Sequence, residues 1–385
     1  MQLILVIAVV TAVAVAAAVI LLRRPGSAEA GPAAAPPRDN RPARPPVPAA
    51  PLGPPVPVAA PVVPAPASLA ALRLQRTLQL DPAERSRLVT LLRQVAQPPA
   101  SLPRLVSMDV LEDAAPRELA ELVMREPRLA AKLLGRANSA FYALQSPIAS
   151  IPHAISYLGI NAVRSMALGF LVEATFPSTD PAVRRYSDRT WAAAMVAGEL
   201  CSLLAVRLRC QDPAALAMQA VLSFLGEIAV PVLAPDRADE LGRLDLPERL
   251  ARQQEWLGTN AIVLGSVLMQ EWGLPESLVH EVEVAGRVVV TPVNPRETHH
   301  AAERALVYAC ARLGEAIASG RLVHAGQLDL ATADDPLLYY LQGYLRLPAL
   351  ARLPDLLAAP DAAGMLDRMI ASTVAVGAAN ESAAA

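Results

Sequence analysis

Apolar and polar positions divide this chain into segments with different periods. After Gln2 the chain runs to Leu22 through apolar and small residues, with no charge, no Gly and no Pro. At 1.5 Å rise per residue, about 20 such residues cross a hydrocarbon core of roughly 30 Å. Residues 1–24 therefore read as a transmembrane anchor. Arg23 and Arg24 follow at once, with Arg38, Arg41 and Arg44 beyond them, so the positive-inside rule places the large C-terminal part in the cytoplasm. A cleaved signal peptide is the competing reading, because Ala28-Glu29-Ala30 has the small-x-small form of a cleavage site. The missing basic n-region and the length of the apolar run speak for a retained anchor.

Residues 25–67 lose all period. Fifteen prolines among alanines leave nothing with which to build a core, and the segment reads as a disordered, polyproline-rich linker. Fully extended, it reaches up to roughly 130 Å. Its PxxP matches are what any Pro-rich spacer generates.

Helical spacing begins near Ser68. Leu69, Leu72, Leu74 and Leu78 suggest a first helix, and Asp81-Pro82-Ala83-Glu84 reads as a cap, a first-turn proline and a capping-box glutamate. Leu88, Leu91, Leu92 and Val95 continue that helix to the Gln97-Pro98-Pro99 break, so residues 68–97 form a helical lead-in. A main domain over 98–295 follows. Leu119, Leu122 and Val123 mark one helix; Leu129, Leu133 and Leu134 mark the next, started by Pro127 and closed by Asn138 and Ser139. Ile151, Ile155 and Leu158 mark another that ends at Gly159, before a helix capped by Asn161 and carrying Val163, Ala167, Phe170 and Leu171. Residues 296–375 give three more helical stretches: one from Thr298 through Leu313, one from Asp335-Pro336 through Leu345, and one from Asp361 through Ile370. The small residues of 376–385 read as a disordered tail.

Composition fits this picture. Hydrophobic residues make up 54% of the chain but aromatics only 4%, so the core must be Ala, Leu, Val and Ile in close-packed helices. Net charge is −2, and no basic patch marks a nucleic-acid surface. The helix pair around Gly159 has the outline of a helix-turn-helix, yet Arg164 is the only cation its second helix offers to bases or phosphates. Cys201, Cys210 and Cys310 lack any Cys-x-x-Cys spacing and read as reduced core thiols.

One family is recognisable in these residues. Glu126-Pro127, the run Asn138 to Tyr142, and Ile151, Ala154, Ile155, Leu158 and Gly159 resemble the opening signature of the HDOD domain. Leu102-Pro103-Arg104-Leu105, Leu257-Gly258-Thr259-Asn260 through Gly265, and Trp272-Gly273-Leu274-Pro275 resemble its other segments. The resemblance implies an all-α, multi-helix HD-like bundle and a bacterial signalling module, often found alongside cyclic-dinucleotide systems. It also makes the expected location the bacterial inner membrane, single-pass, with the helical domain cytoplasmic.

The chemistry of the catalytic HD relatives is not carried over. Where they have Gly-Leu-Leu-His-Asp-Ile-Gly, this chain has Ala220, Val221, Leu222, Ser223, Phe224, Leu225 and Gly226. A hydroxyl and a phenyl ring do not replace an imidazole and a carboxylate as metal ligands. Asn260 stands for another histidine, Ala285 and Gly286 for a His-His pair, and the upstream histidine falls near Arg189 or Thr190. The expectation is therefore no catalytic residue, no cofactor and no metal ligand. Ser223, Phe224 and Asn260 are candidates for a partner-binding remnant of the ancestral cleft. Asn138, Ser139, Leu158, Gly159, Gly226, Trp272, Gly273 and Pro275 are expected to be structural. His299-His300, with Glu297, Glu303 and His280 near in sequence, is the one group that looks like metal chemistry. Adjacent histidines on a helix point about 100° apart, so exposed helix-start residues are the better reading.

The expected function is a non-catalytic, membrane-tethered regulatory module that binds protein partners in bacterial signalling and no nucleic acid. The alternatives are a cyclic-dinucleotide sensor, for which Arg164 and Arg184-Arg185 are the candidate cations, and a metal-dependent phosphohydrolase using His280, His299 and His300.

Overall fold

Three of the helix starts share one device that the sequence displays openly. An aspartate just ahead of a proline accepts the exposed first-turn amides while the proline occupies a position whose N–H has no use. Asp180 Oδ1 accepts from Ala182 N at 2.8 Å and Val183 N at 3.1 Å, Asp212 Oδ1 from Ala215 N at 2.9 Å, and Asp245 Oδ1 from Glu248 N at 2.9 Å.

The computed structural model describes residues 64–95, 101–107, 115–142, 144–294, 298–330 and 335–384. All belong to the second of the two units into which the chain divides, Pro55–Ala385. The expected anchor at 1–24 and nearly all of the expected linker lie outside the described residues. The fold is all-α, as expected, with no strand among the described residues. Its helices are α1 (Ala67–Ala71), α2 (Pro82–Val95), α3 (Ser101–Ser107), α4 (Ala115–Met124), α5 (Pro127–Ala137), α6 (Ile151–Leu158) and α7 (Ile160–Thr175). There follow α8 (Pro181–Arg207), α9 (Pro213–Leu222), α10 (Leu225–Leu233), α11 (Leu246–Leu257), α12 (Ala261–Glu271), α13 (Glu276–Gly286), α14 (Thr298–Ala318), α15 (Leu353–Ala358) and α16 (Pro360–Ala384). Two single-turn helices, Ala238–Leu241 and Leu341–Tyr344, lie between them.

The long α8 is the spine. It packs on α7, α9, α10, α14 and α16, and its buried stretch is built from small residues, among them Ala193, Ala194, Ala197, Gly198 and Cys201. Small side chains let helix backbones come close, which is how a core with few aromatics reaches native density. At Gly314 of α14 an added Cβ would stand 2.4 Å from the Ala193 carbonyl oxygen. Pro181–Arg207 and Pro213–Leu233 are both long and apolar enough to cross a membrane. With 72% and 83% of their most apolar windows buried in the bundle, they serve here as core helices.

In five places the structure departs from the sequence expectation or decides what it left open. The first helix stops at Ala71. The chain then runs extended to a 3-10 turn at Thr77–Gln79, and Leu78 is 96% exposed. The reason is competition for the backbone: Gln254 accepts from Gln75 N at 2.9 Å and donates to Arg73 O at 3.0 Å, and Arg287 donates to Leu74 O and Gln75 O at 3.1 and 2.9 Å. Those bonds replace the ones a helix would make. Second, the packing of the lead-in, which the sequence leaves open, is onto the bundle. Leu88 and Leu92 are buried, and Arg85 Nη2 donates to Gln270 Oε1 of α12 at 2.7 Å.

Third, Asn161 does not cap α7. Gly159, at φ +87°, both ends α6 and starts α7, a left-handed conformation that a Cβ disfavours. Fourth, the segment after Asp335 forms turns and the single-turn Leu341–Tyr344 in place of a helix. There Tyr308 Oη donates to Leu337 O at 2.8 Å, diverting a carbonyl that a helix would use. Fifth, α16 continues to Ala384, so residues 376–384, expected as a disordered tail, are helical.

Candidate functional site

α9 ends at Ser223 and Phe224, the positions that the sequence match sets against the His-Asp pair of catalytic HD relatives. Ser223 closes the helix and donates from Oγ to Ala220 O at 2.7 Å, and Phe224 starts α10 with its ring buried. Phe224 forms one wall of a cavity of about 20 Å³, which has room for about one water molecule. Arg189 and Thr190 of α8, which the sequence match set near the upstream histidine position, line the same cavity. Tyr186, Glu227, Arg249 and Glu315 complete the lining.

These last four residues were not singled out in the sequence, and they define the site. Arg249 donates from Nε to Glu227 Oε1 at 3.1 Å and from Nη2 to Glu315 Oε1 at 2.8 Å. Tyr186 Oη and Gln253 Nε2 both donate to Glu227 Oε2, at 2.8 and 3.1 Å. Arg312 pairs with the other oxygen of Glu315 and Arg321 lies 4.0 Å from Oε1, so three guanidinium groups face the two carboxylates. Burial works against the Arg249 charge, but Glu227 and Glu315 outweigh it and raise the guanidinium further. Burial alone would raise the Glu315 carboxyl; Arg249 and Arg312 instead hold it down to about 2. Burial and then the neighbouring Glu227 push the Tyr186 phenol well above its usual value. All three therefore stay in one protonation state across ordinary pH. A lone glutamate in the otherwise apolar run Leu225–Leu233 was a visible signal for Glu227, since such residues are rarely buried unless paired.

A divalent metal does not fit this arrangement. The lining carries no imidazole, and its two carboxylates already hold guanidinium groups. Asn260 does not line the cavity. It is fully buried as the N-cap of α12, where Oδ1 accepts from Ile262 N and Val263 N at 3.0 and 3.2 Å and Nδ2 donates to Gln254 Oε1 at 2.9 Å. The structure thus joins Phe224 to Arg189 and Thr190 but does not gather Ser223, Phe224 and Asn260 into one cleft. The Ala285–Gly286 position is filled by packing, with the Ile262 side chain 3.2 Å from where a Gly286 Cβ would be.

The histidine group offers no better chemistry. The Glu281 carboxylate receives Arg304 at 2.7 and 2.9 Å, and this pairing holds it below its usual value. His300 is exposed with Nδ1 3.9 Å from Glu303 Oε2, while Glu297 and the side chain of His299 lie outside the described residues. Among the described residues no group of three or more His, Cys, Asp or Glu is placed to hold a metal ion.

The opening signature is structural. Asn138 Oδ1 accepts from Ile148 N at 2.7 Å, and Nδ2 donates to Ile148 O and Leu134 O, both at 2.8 Å. One side chain thereby closes the loop between α5 and α6 and caps α5. Asn138→Ala is expected to destabilise the domain by about 1–3 kcal/mol, because it strands backbone groups of Ile148 and Leu134. Urea unfolding of the purified variant measures this. Tyr142, near the same turn, donates to Glu199 Oε1 at 3.3 Å, beside a buried bidentate Arg136–Glu199 pair at 2.8 and 2.6 Å. Arg164, weighed above as a base or phosphate contact, is buried and donates to Leu105 O and Val106 O at 2.8 and 2.5 Å. Gly273, at φ +69°, and Pro275 make the turn into α13, and Trp272 is buried with its ring centroid 6.3 Å from that of Phe176.

Among solved structures, the chain is similar to a candidate phosphohydrolase from Shewanella amazonensis SB2B, with 20% identity, 74% of this chain and 97% of that one covered, and a TM-score of 0.49. It is also similar to an HDOD domain protein of unknown function from Geobacter sulfurreducens, with 17% identity, 74% and 98% coverage and a TM-score of 0.49. A third similarity is to a candidate signal transduction protein from Marinobacter aquaeolei VT8, with 19% identity, 79% and 64% coverage and a TM-score of 0.47. Among curated proteins none matches. The HDOD domain profile matches residues 70–287, more than half of the chain, starting inside the lead-in that packs on the bundle. The all-helical chain belongs to the HDOD domain family.

Proposed function

We propose that this HDOD chain is a non-catalytic regulatory module that acts by binding protein partners, held at a membrane by its N-terminal segment. The observation that carries the reading is the Glu227–Arg249–Glu315 network beside Phe224. It sets protein charges beside the residue that the sequence match pairs with a metal ligand of HD relatives, and this supports the reading. Without a metal-activated water the HD route to phosphoester hydrolysis has no nucleophile. Binding without turnover is what remains for the fold to do. Tethering would raise the effective concentration of the docking surface for membrane-bound partners.

In-cell crosslinking of the full-length chain, beside a control of residues 1–67 alone, tests this. A protein enriched only when the helical domain is present is the expected result. A chelator-free preparation holding near one equivalent of metal and hydrolysing phosphoesters would overturn the reading in favour of a phosphohydrolase.

A further inference from the structure

The extended stretch after α1 leaves a second and much larger cavity, a groove open to solvent. It measures about 550 Å³ and lies between residues 72–79 on one side and Gln254, Gly258, Arg287 and Val290 on the other. That size is in the range of small-molecule sites, unlike the cavity beside Phe224. Both walls are fixed. Gln254 and Arg287 clasp the backbone of Arg73, Leu74 and Gln75, and Glu283 accepts from Thr77 N at 3.0 Å.

The lining has a definite chemistry. Arg73 and Arg287 supply cations, and Gln75, Gln79 and Gln254 supply amides. Arg87 brings a third guanidinium to the rim, its Nη2 3.6 Å from where a Cβ on Gly258 would sit. Burial and the like charge of Arg76 both lower the Arg287 pKa, with only partial relief from Glu283, so an anion placed there would be welcome.

We infer that this cavity binds a phosphorylated small molecule of nucleotide size, its phosphates on Arg73 and Arg287 and its base beside Gln75 and Gln79. Arginine suits the phosphates because its planar fork pairs two oxygens at once. Gln254 is already committed to the backbone of Gln75 and Arg73, so the amides of Gln75 and Gln79 are the ones that meet a base edge. The site is distinct from the Phe224 cavity and does not depend on the protein-partner reading: failure of a pull-down leaves it standing, and the reverse also holds.

Calorimetry on the full-length chain tests it with AMP, GMP, ATP, GTP and cyclic di-GMP, beside inorganic phosphate and pyrophosphate. The expected result is saturable one-to-one binding of at least one nucleotide, weakened at least about tenfold by Arg73→Glu. Arg73 is exposed, so this variant leaves the core untouched. Gln75→Leu should weaken the nucleotide and leave pyrophosphate unchanged. No saturation by any nucleotide up to about 1 mM overturns the proposal, as does nucleotide binding that Arg73→Glu and Arg287→Gln leave unaltered. Pyrophosphate binding as tightly as every nucleotide would overturn the nucleotide assignment.

Discussion

Arg249→Met lowers the unfolding free energy by about 3–5 kcal/mol, the cost of leaving a buried carboxylate pair without its shared cation. Methionine replaces the volume, so the loss is electrostatic more than steric. Glu227 keeps the Tyr186 and Gln253 bonds and Glu315 keeps Arg312, but both lose the guanidinium that lies between them. Denaturant unfolding at neutral pH reads the effect, and a pH series separates it from simple loss of packing. In the wild type, Glu315 sits at about 2 in the folded state against a usual 4.5. A lowered folded value means the stabilisation is present above the unfolded pKa and is lost as pH falls from about 4.5 toward 2. For a shift of this size the total is about 3 kcal/mol. The variant has less of this contribution to lose, so the gap between the two proteins should narrow on acidification. A gap that stays constant from pH 7 to pH 3 would mean that Arg249 matters only as packing.

Gly226→Ala is expected to cost more than about 4 kcal/mol or to prevent folding. An added Cβ at this position would lie 1.8 Å from the Ala261 carbonyl oxygen and 2.8 Å from Gly265 N. Both obstacles are backbone, so no rotamer change relieves them, and α10 would have to move off α12. Gly135→Ala is the matched control. It lies in α5 with nothing within 4 Å of the new methyl, and it should be neutral or stabilising by up to about 1 kcal/mol. Thermal unfolding by circular dichroism, with soluble yield, distinguishes the pair. A Gly226→Ala protein that melts with the wild type would show that the two helices are not in backbone contact.

Much of the fold was legible because its signals are local. The aspartate and proline starts of α8, α9 and α11 and the Gly159 break depend on residues within a few positions of one another, and the Asn138 turn reaches only ten residues on, to Ile148. The stretch after Ala71 was misread because Leu69, Leu72, Leu74 and Leu78 are compatible with a helix. What decides its shape are the side chains of Gln254 and Arg287, remote in sequence. The candidate site was legible as a loss, in Ser223 and Phe224, and not as a replacement. Glu227, Arg249 and Glu315 lie in separate helices, and nothing in sequence says that three ordinary charged residues share one buried place.

The position of α14 separates ancestry from foldability. The recognisable family segment ends at residue 287, yet the helix that seats Gly314 against α8 and delivers Glu315 to Arg249 lies beyond it. A splice made at the family boundary would strip the spine of its most extensive neighbour and uncover a strip of alanines. It would also leave a guanidinium facing a single acid. The unit that can be transplanted between proteins is therefore longer than the unit that can be recognised, and it extends at least through Ala318.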